Sequence, residues 1–467
     1  MQPVTDPAVI DGYLVDASNV RGHASALFRP RDAAEVAEVL ARATAAGVPV
    51  TVTARRTSTT AAPVPQGGWL LSTEHLDRLH ALDDADAGVL LGAAQAEIER
   101  AGRFFPPDPT SRHECSLGGA LACNASGARS FAYGPTRPWI TWAEVVWPDG
   151  AVARVSRSTP LPAHWPRPAG AVPPVKSAAG FFPADNLLDL LIGSEGTLGV
   201  VTRAGLRLAA LPRGVLSLFA FFSSTEALLA FVATARAGAR RPGHPTATPG
   251  ALSPRALEYF DRHALDLVRA RVPDIPAAAT DALFVEVEHD GEAPLEAWWD
   301  ALTAHDALVD ATIVAEDAAG RARLQAVRHA VPAGINEIVV RNGMPKLGTD
   351  LSVPDAALPE MMAAYRAVPL RSVLFGHIGD SHLHLNLLPA NPTELAQARA
   401  AYDALADRAI ALGGSVSAEH GIGKTKRHHL ARMVGPAVLD SWRALKAVVD
   451  PAGILGRGTL FAETGAP

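Results

Sequence analysis

Residues 376–386 read GHIGDSHLHLN and carry histidines at 377, 382 and 384. On a strand, His382 and His384 lie two apart and share one face, while Leu383, Leu385 and Leu387 take the other. His377 precedes a Gly-Asp turn that can return it toward His384. Such a trio is either a hydrogen-bonded core cluster or a source of metal ligands. A second stretch, SVSAEHGIGKTKRHHL (415–430), sets Glu419 beside His420, followed at once by Gly421 and Gly423. Two neutral imidazoles plus one carboxylate form an open divalent-metal site with positions left for substrate and water. Glu419 can be that carboxylate or a solvated acid. His420, the next residue, points elsewhere and is free to act as a base. His428 and His429 sit among Lys424, Lys426 and Arg427 and read as a solvated basic face.

Two glycine-rich stretches complete the set. PDPTSRHECSLGGALACNASGARSFAYG (107–134) places Gly118, Gly119, Gly127 and Gly134 among Ser111, Ser116, Asn124 and Ser126. Without Cβ atoms in the way, backbone N–H groups can approach a flat or anionic ligand; ordinary turns are the plainer reading. GSEGTLG (193–199) spaces Gly193, Gly196 and Gly199 three apart and opens onto the apolar VVT.

The elements that must hold these residues follow from periodicity. ALFRP (26–30) reads as a strand. Asp32 and Glu35 then suggest a capped helix with Val36, Val39 and Leu40 on one face and Gly47 after its last turn. VPVTV (48–52) is the next strand, which completes a β-α-β unit. AEVVWPDGAVARV (143–155) is a hairpin around Pro-Asp-Gly, and residues 157–174 form a Pro-rich exposed loop. After about residue 212 the texture becomes α+β. Strands are expected at VLSLFAFF (215–222), LFVEVEH (283–289) and ATIVAE (311–316), with helices over 225–237 and near 293–304, 318–330, 354–366 and 393–412.

Composition narrows the class. The 467 residues are 48% hydrophobic and 19% charged, enough for two or three globular domains. A formal charge of −6 without like-charge blocks gives no support to nucleic-acid binding. The two cysteines, Cys115 and Cys123, lack metal-type spacing and read as reduced, mostly buried thiols. The N-terminal MQPVTDPAVIDG has no apolar core of a signal peptide, and apolar runs such as VLSLFAFF are too short to span a bilayer. The expected location is the cytoplasm, at large or at the inner-membrane surface.

Taken in order and spacing, these stretches resemble the flavin-dependent 2-hydroxyacid dehydrogenase family, which includes D-lactate dehydrogenase, glycolate oxidase subunits and D-2-hydroxyglutarate dehydrogenase. It belongs to the vanillyl-alcohol-oxidase-like flavoprotein superfamily. SLGGALACNASGARSFAYGPTR, VKSAAG, LIGSEGTLGVVT, GHIGD.HLHLN and GGSVSAEHGIG carry the resemblance, from about residue 20 to 462. It implies an α+β chain: a two-part FAD-binding domain (1–212), an antiparallel-sheet-plus-helices cap over the substrate (213–410) and a C-terminal segment (411–467) returning to the flavin domain. It implies non-covalent FAD lined by Arg55, Arg56, Thr57, Ser58, Pro107, Asp108, Ser111, Gly118, Gly119, Asn124, Ser126, Gly127, Glu195, Gly199 and Val200. It further implies zinc or manganese on His377, His384 and Glu419, with His420 as base, Arg328 as carboxylate anchor and Asn386 on the substrate. The substrate would be a small D-2-hydroxy acid, and a quinone, an electron-transfer flavoprotein or a cytochrome would take the electrons. A homodimer is one of the oligomeric states left open.

Four positions depart from the family pattern. Its glycine triplet after the VPVTV-type strand is Ala54-Arg55-Arg56, and its Asn-Pro-Gly-Lys near the flavin is GRGT (456–459). Gly348 stands where the family has a lysine, with Lys346 two residues earlier; Ser381-His382 replaces Gly-Asn. A non-glycine residue at positive φ costs ~1–2 kcal/mol, so the loop at 53–60 must change shape or bind phosphate through its arginines. The departures also motivate an alternative, a flavin-depleted member that uses the metal site for non-redox chemistry on an acidic substrate. A non-catalytic binding protein is the third reading.

Overall fold

A computed structural model describes residues 1–467 except 244, 245, 273 and 463–467. Asp32 caps the helix Ala33–Ala46 by accepting the Glu35 N–H at 2.9 Å, and Glu35 accepts the Arg31 N–H at 2.8 Å. The helix buries Val36, Val39, Leu40 and Ala43, and Gly47 closes it at φ 64°. The strands on either side, Ala26–Phe28 and Val50–Thr53, do not pair with each other. Both pair in parallel with Trp69–Ser72, which lies between them. A five-stranded antiparallel sheet follows, in the order Leu79–Ala81, Asp84–Asp86, Val200–Leu206, Ile140–Val146, Val152–Ser156. Its last pair is the expected Pro-Asp-Gly hairpin, with Val146 opposite Val152.

The glycine-rich stretch is organised by a short helix, Leu117–Cys123. Ser116 caps it by accepting the Gly119 N–H at 3.1 Å, and Asn124 ends it at φ 49°. Gly118 lets the helix start lie directly on Ala87, where an added Cβ would come within 2.6 Å of the Ala87 Cβ.

The remaining large sheet is antiparallel. Its core order is Gly214–Phe222, Asp281–His289, Pro254–Asp261, Ser372–Gly376, His382–Leu387, with Ile313–Ala315 at one edge and Leu347–Gly348 at the other. Pro254–Asp261 is absent from the sequence reading. Its proline occupies the first strand position, where no ladder donor is needed.

One helix departs from expectation. The segment expected to end at 330 runs as Ala318–Asn342, straight through Pro332. Val331, Ile335 and Ile338 continue its buried stripe, so packing outweighs the lost hydrogen bond to the Arg328 carbonyl. The chain then returns to its beginning. The Val50 N–H donates to the Ile454 carbonyl at 2.7 Å, and the Gly456 N–H donates to the Val50 carbonyl at 3.0 Å. Among the described residues no helix is long and apolar enough to cross a membrane.

Candidate active site

Glu419 is where the histidines converge. His377 Nε2 lies 3.2 Å from its Oε2, and His384 Nε2 lies 3.3 Å from its Oε1. One donor atom from each of His377, His384 and Glu419 lies within 4.8 Å of the others, close enough for the three to share a divalent ion. Lys176 Nζ also donates to Glu419 Oε2 at 3.0 Å and sits 3.7 Å from Asp380. Burial alone would raise the Glu419 pKa, but Lys176, His377 and His382 hold it well below the usual carboxylate range.

Each histidine is oriented from behind. His377 Nδ1 meets Glu258 Oε1 at 2.5 Å, and His384 Nδ1 donates to the Thr349 carbonyl at 3.1 Å. Burial would lower the His377 pKa, yet Glu258 and Glu419 raise it to about 9. His382 is fully buried, with Nε2 3.0 Å from Asp350 Oδ1. Strand geometry puts its ring 4.5 Å from that of His384, between centroids, as expected for positions two apart.

Asp350 organises the other side. Its carboxylate accepts from the His420 N–H at 3.0 Å, the Ser417 hydroxyl at 2.7 Å and Lys426 Nζ at 2.7 Å. The His420 ring stacks on His384 at 5.3 Å, with Nδ1 3.5 Å from Asp350 and Nε2 3.7 Å from Glu419 Oε1. Desolvation lowers the His420 pKa to about 4, so the imidazole is neutral near pH 7 and able to take a proton.

Glu419 and His420 form one end of a cavity of about 640 Å³. Of the residues expected at the flavin, Arg55, Arg56, Thr57, Ser58, Ser111, Gly118, Gly119, Ser126, Glu195, Gly199 and Val200 line it. Pro107, Asp108, Asn124 and Gly127 stand behind that wall. The Pro107 carbonyl is held by Gln95 Nε2 at 2.6 Å, and Asp108 accepts the Arg129 N–H at 3.0 Å. Gly127 allows the chain to cross Asp108, whose carbonyl oxygen would be 2.0 Å from an added Cβ. Asn124 faces a second cavity and accepts the Arg137 N–H at 2.9 Å. Glu195 adopts φ 53° and accepts the Ile422 and Gly423 N–H groups, each at 2.8 Å, which ties the GSEGTLG loop to the AEHGIG loop.

The loop at 53–60 solves its missing glycines locally. Arg56 itself takes φ 57°, and its guanidinium lies 4.5 Å from the Tyr13 ring centroid. Arg55 lines the cavity, and its buried Nε has no hydrogen-bond partner among the described residues. Such an orphaned donor fits a phosphate group. GRGT lies off the cavity; Gly456 and Gly458 take φ 58° and 75°, and the Thr459 hydroxyl accepts from Lys424 at 3.1 Å.

The structure corrects the basic-face reading of 424–429. Lys424, Lys426 and His429 are buried, and His429 Nε2 bonds Asp403 at 2.7 Å. These residues lead into the helix Arg427–Val449, which packs on Pro392–Ala411; of the basic residues here His428 is exposed and Arg427 half-buried. Arg328 is no surface charge either, because its Nε donates to Glu258 Oε2 at 2.8 Å. Asn386 Oδ1 accepts Lys346 Nζ at 3.1 Å, so the displaced lysine does reach this strand. Neither Arg328 nor Asn386 touches the 640 Å³ cavity. Sequence reasoning missed Lys176, Glu258 and Asp350. The available signal was an ionisable residue inside an apolar run, as in RALEYF for Glu258.

Comparisons with known proteins agree with this geometry. Residues 212–460 match the family described as FAD linked oxidases, C-terminal domain, and residues 24–156 match the FAD binding domain. D-2-hydroxyglutarate dehydrogenase of Xanthomonas citri pv. viticola is 30% identical over 99% of this chain and 95% of its own length. Glycolate oxidase subunit GlcD of Bacillus subtilis is 27% identical, covering 94% and 89%. The solved structure of an alkyldihydroxyacetonephosphate synthase shares the fold with a TM-score of 0.68 at 15% identity, covering 97% of this chain and 82% of that one. The fold is therefore the two-part FAD-binding fold of the vanillyl-alcohol-oxidase type with an antiparallel cap, and the chain belongs to the FAD-linked oxidases as an FAD-dependent oxidoreductase acting on CH–OH groups.

Proposed function

We propose that this chain oxidises a small D-2-hydroxy acid, of the lactate, glycolate or 2-hydroxyglutarate kind, to the 2-oxo acid. The observation that carries the reading is the convergence of His377 and His384 on Glu419, with the neutral His420 beside it, at the end of the flavin-sized cavity. The relatives named for such substrates support it. When bound, FAD supplies a hydride acceptor, and a divalent metal on His377, His384 and Glu419 supplies a Lewis acid for the hydroxyl and carboxylate.

The protein's own groups do the rest. In the tautomer that donates Nδ1–H toward Asp350, His420 Nε2 faces Glu419 and takes the hydroxyl proton. Asp350 anchors the backbone that carries this ring through the His420 main-chain N–H and is itself fixed by Lys426. Arg328, tied through Glu258 to His377 on the cap side of the site, would anchor the substrate carboxylate with the donors of its fork that Glu258 does not take. Arg55, in the cavity wall, would hold the pyrophosphate through its side chain. The match of residues 24–156 to the FAD binding domain speaks against the flavin-depleted alternative. A quinone, an electron-transfer flavoprotein or a cytochrome would serve as the electron acceptor.

The visible spectrum of purified protein tests this reading, before and after anaerobic addition of D-lactate, glycolate or D-2-hydroxyglutarate. A flavin band bleached by one of these acids is expected. A colourless protein that takes up no FAD on reconstitution, or a flavin that none of them bleaches, overturns it.

A further inference from the structure

We propose that His382 is a fourth protein ligand of the metal, so that the chain offers three imidazoles and one carboxylate rather than two and one. The inference rests on the metal reading above and goes beyond its ligand set.

The first argument is placement. One nitrogen or oxygen from each of His377, His382, His384 and Glu419 lies within 4.8 Å of the others. His382 Nδ1 is the nitrogen on the Glu419 side, 3.9 Å from Oε2. The strand alternation that puts His384 into the site puts His382 there too.

The second is polar satisfaction. His382 has no solvent exposure, and its Nδ1 has no hydrogen-bond partner among the described residues. A buried imidazole nitrogen left empty is destabilising, and a metal ion would satisfy it.

The third is the pattern behind the rings. A metal-bound histidine commonly gives its other nitrogen to a carboxylate or carbonyl. His377 does so with Glu258, and His384 with Thr349. His382 follows the same plan, its Nε2 3.0 Å from Asp350 Oδ1, though that contact is poorly aligned for a hydrogen bond. All three rings therefore present one nitrogen to an outer oxygen and the other toward Glu419.

Lys176 is the cation now on Glu419. Asp380, 3.7 Å from its Nζ, is the second anion that can hold it when Glu419 turns to a metal. Three imidazoles favour zinc and other late divalent ions over manganese or magnesium.

The test loads the full-length protein with Zn²⁺ or Co²⁺ alone and counts imidazoles by X-ray absorption. Three per metal ion are expected in the unmutated protein. His382→Asn should give two, and a metal Kd raised by more than ~100-fold, beyond the ~10–100-fold typical of losing an outer partner. Two imidazoles in the unmutated protein, or a folded variant whose Kd moves less than threefold, overturns the inference and leaves the metal reading intact. A protein that binds neither ion overturns both. The count on unmutated protein decides the matter even where the variant does not fold.

Discussion

Glu258 and His377 face each other at 2.5 Å, Oε1 to Nδ1, inside the cap sheet, and neither is solvent-exposed to any extent that matters. The pairing fixes the ring so that Nε2 points at Glu419. Glu258→Gln keeps the volume and removes the anion. Metal affinity should fall ~10–100-fold, the usual cost of losing a partner behind a ligand. Zinc titration of variant and parent checks this, and an unchanged Kd would show that His377 needs no orienting anion.

His420→Ala removes the proposed base but none of the cavity's phosphate-facing side. The rate of flavin reduction by the substrate acid should drop ~10²–10⁴-fold, with FAD content unchanged. Anaerobic stopped-flow on FAD-replete protein measures it. A loss under threefold assigns the proton to another group.

The two loop arginines should separate. Arg56 is occupied with Tyr13, whereas Arg55 has an unpartnered Nε in the cavity wall. A charge-assisted hydrogen bond is worth ~1.5–3 kcal/mol, so Arg55→Ala should weaken FAD binding ~10–100-fold. Arg56→Ala should change it less than threefold. Fluorescence titration of apoprotein with FAD reads both, and equal effects would refute the assignment.

Glu286 sets an acid limb on stability. Burial alone would raise its pKa, but Arg255, 2.8 Å away, and Arg129 bring it to about 2. Unfolded, the carboxyl titrates near ~4.3. The unfolded chain thus binds the proton first as pH falls, so the stabilisation is complete above that value and is lost as pH drops toward 2. Its size is ~3 kcal/mol. Glu286→Gln should lower Tm at pH 7, with a gap to the parent that narrows between pH 5 and 3. A gap independent of pH would exclude the ion pair as its cause.

By itself the sequence determined most of the local order. Asp32, Ser116 and the Pro-Asp-Gly turn act within a few residues, and each formed where its chemistry required. The spacing of His382 and His384 likewise decided that they share a face. Tertiary structure decided what local rules cannot reach. Pro332 reads as a stop, yet the buried stripe beyond it holds the helix to Asn342. Lys426 reads as solvated until Asp350, far away in sequence, takes its charge. Glu258 and Asp350 became part of the site only because the strand Pro254–Asp261 and the link that follows Leu347–Gly348 place them behind the histidines. Charges and ligands are paired across the fold, where the partner lies tens to hundreds of residues away, so spacing along the chain carries no signal of them.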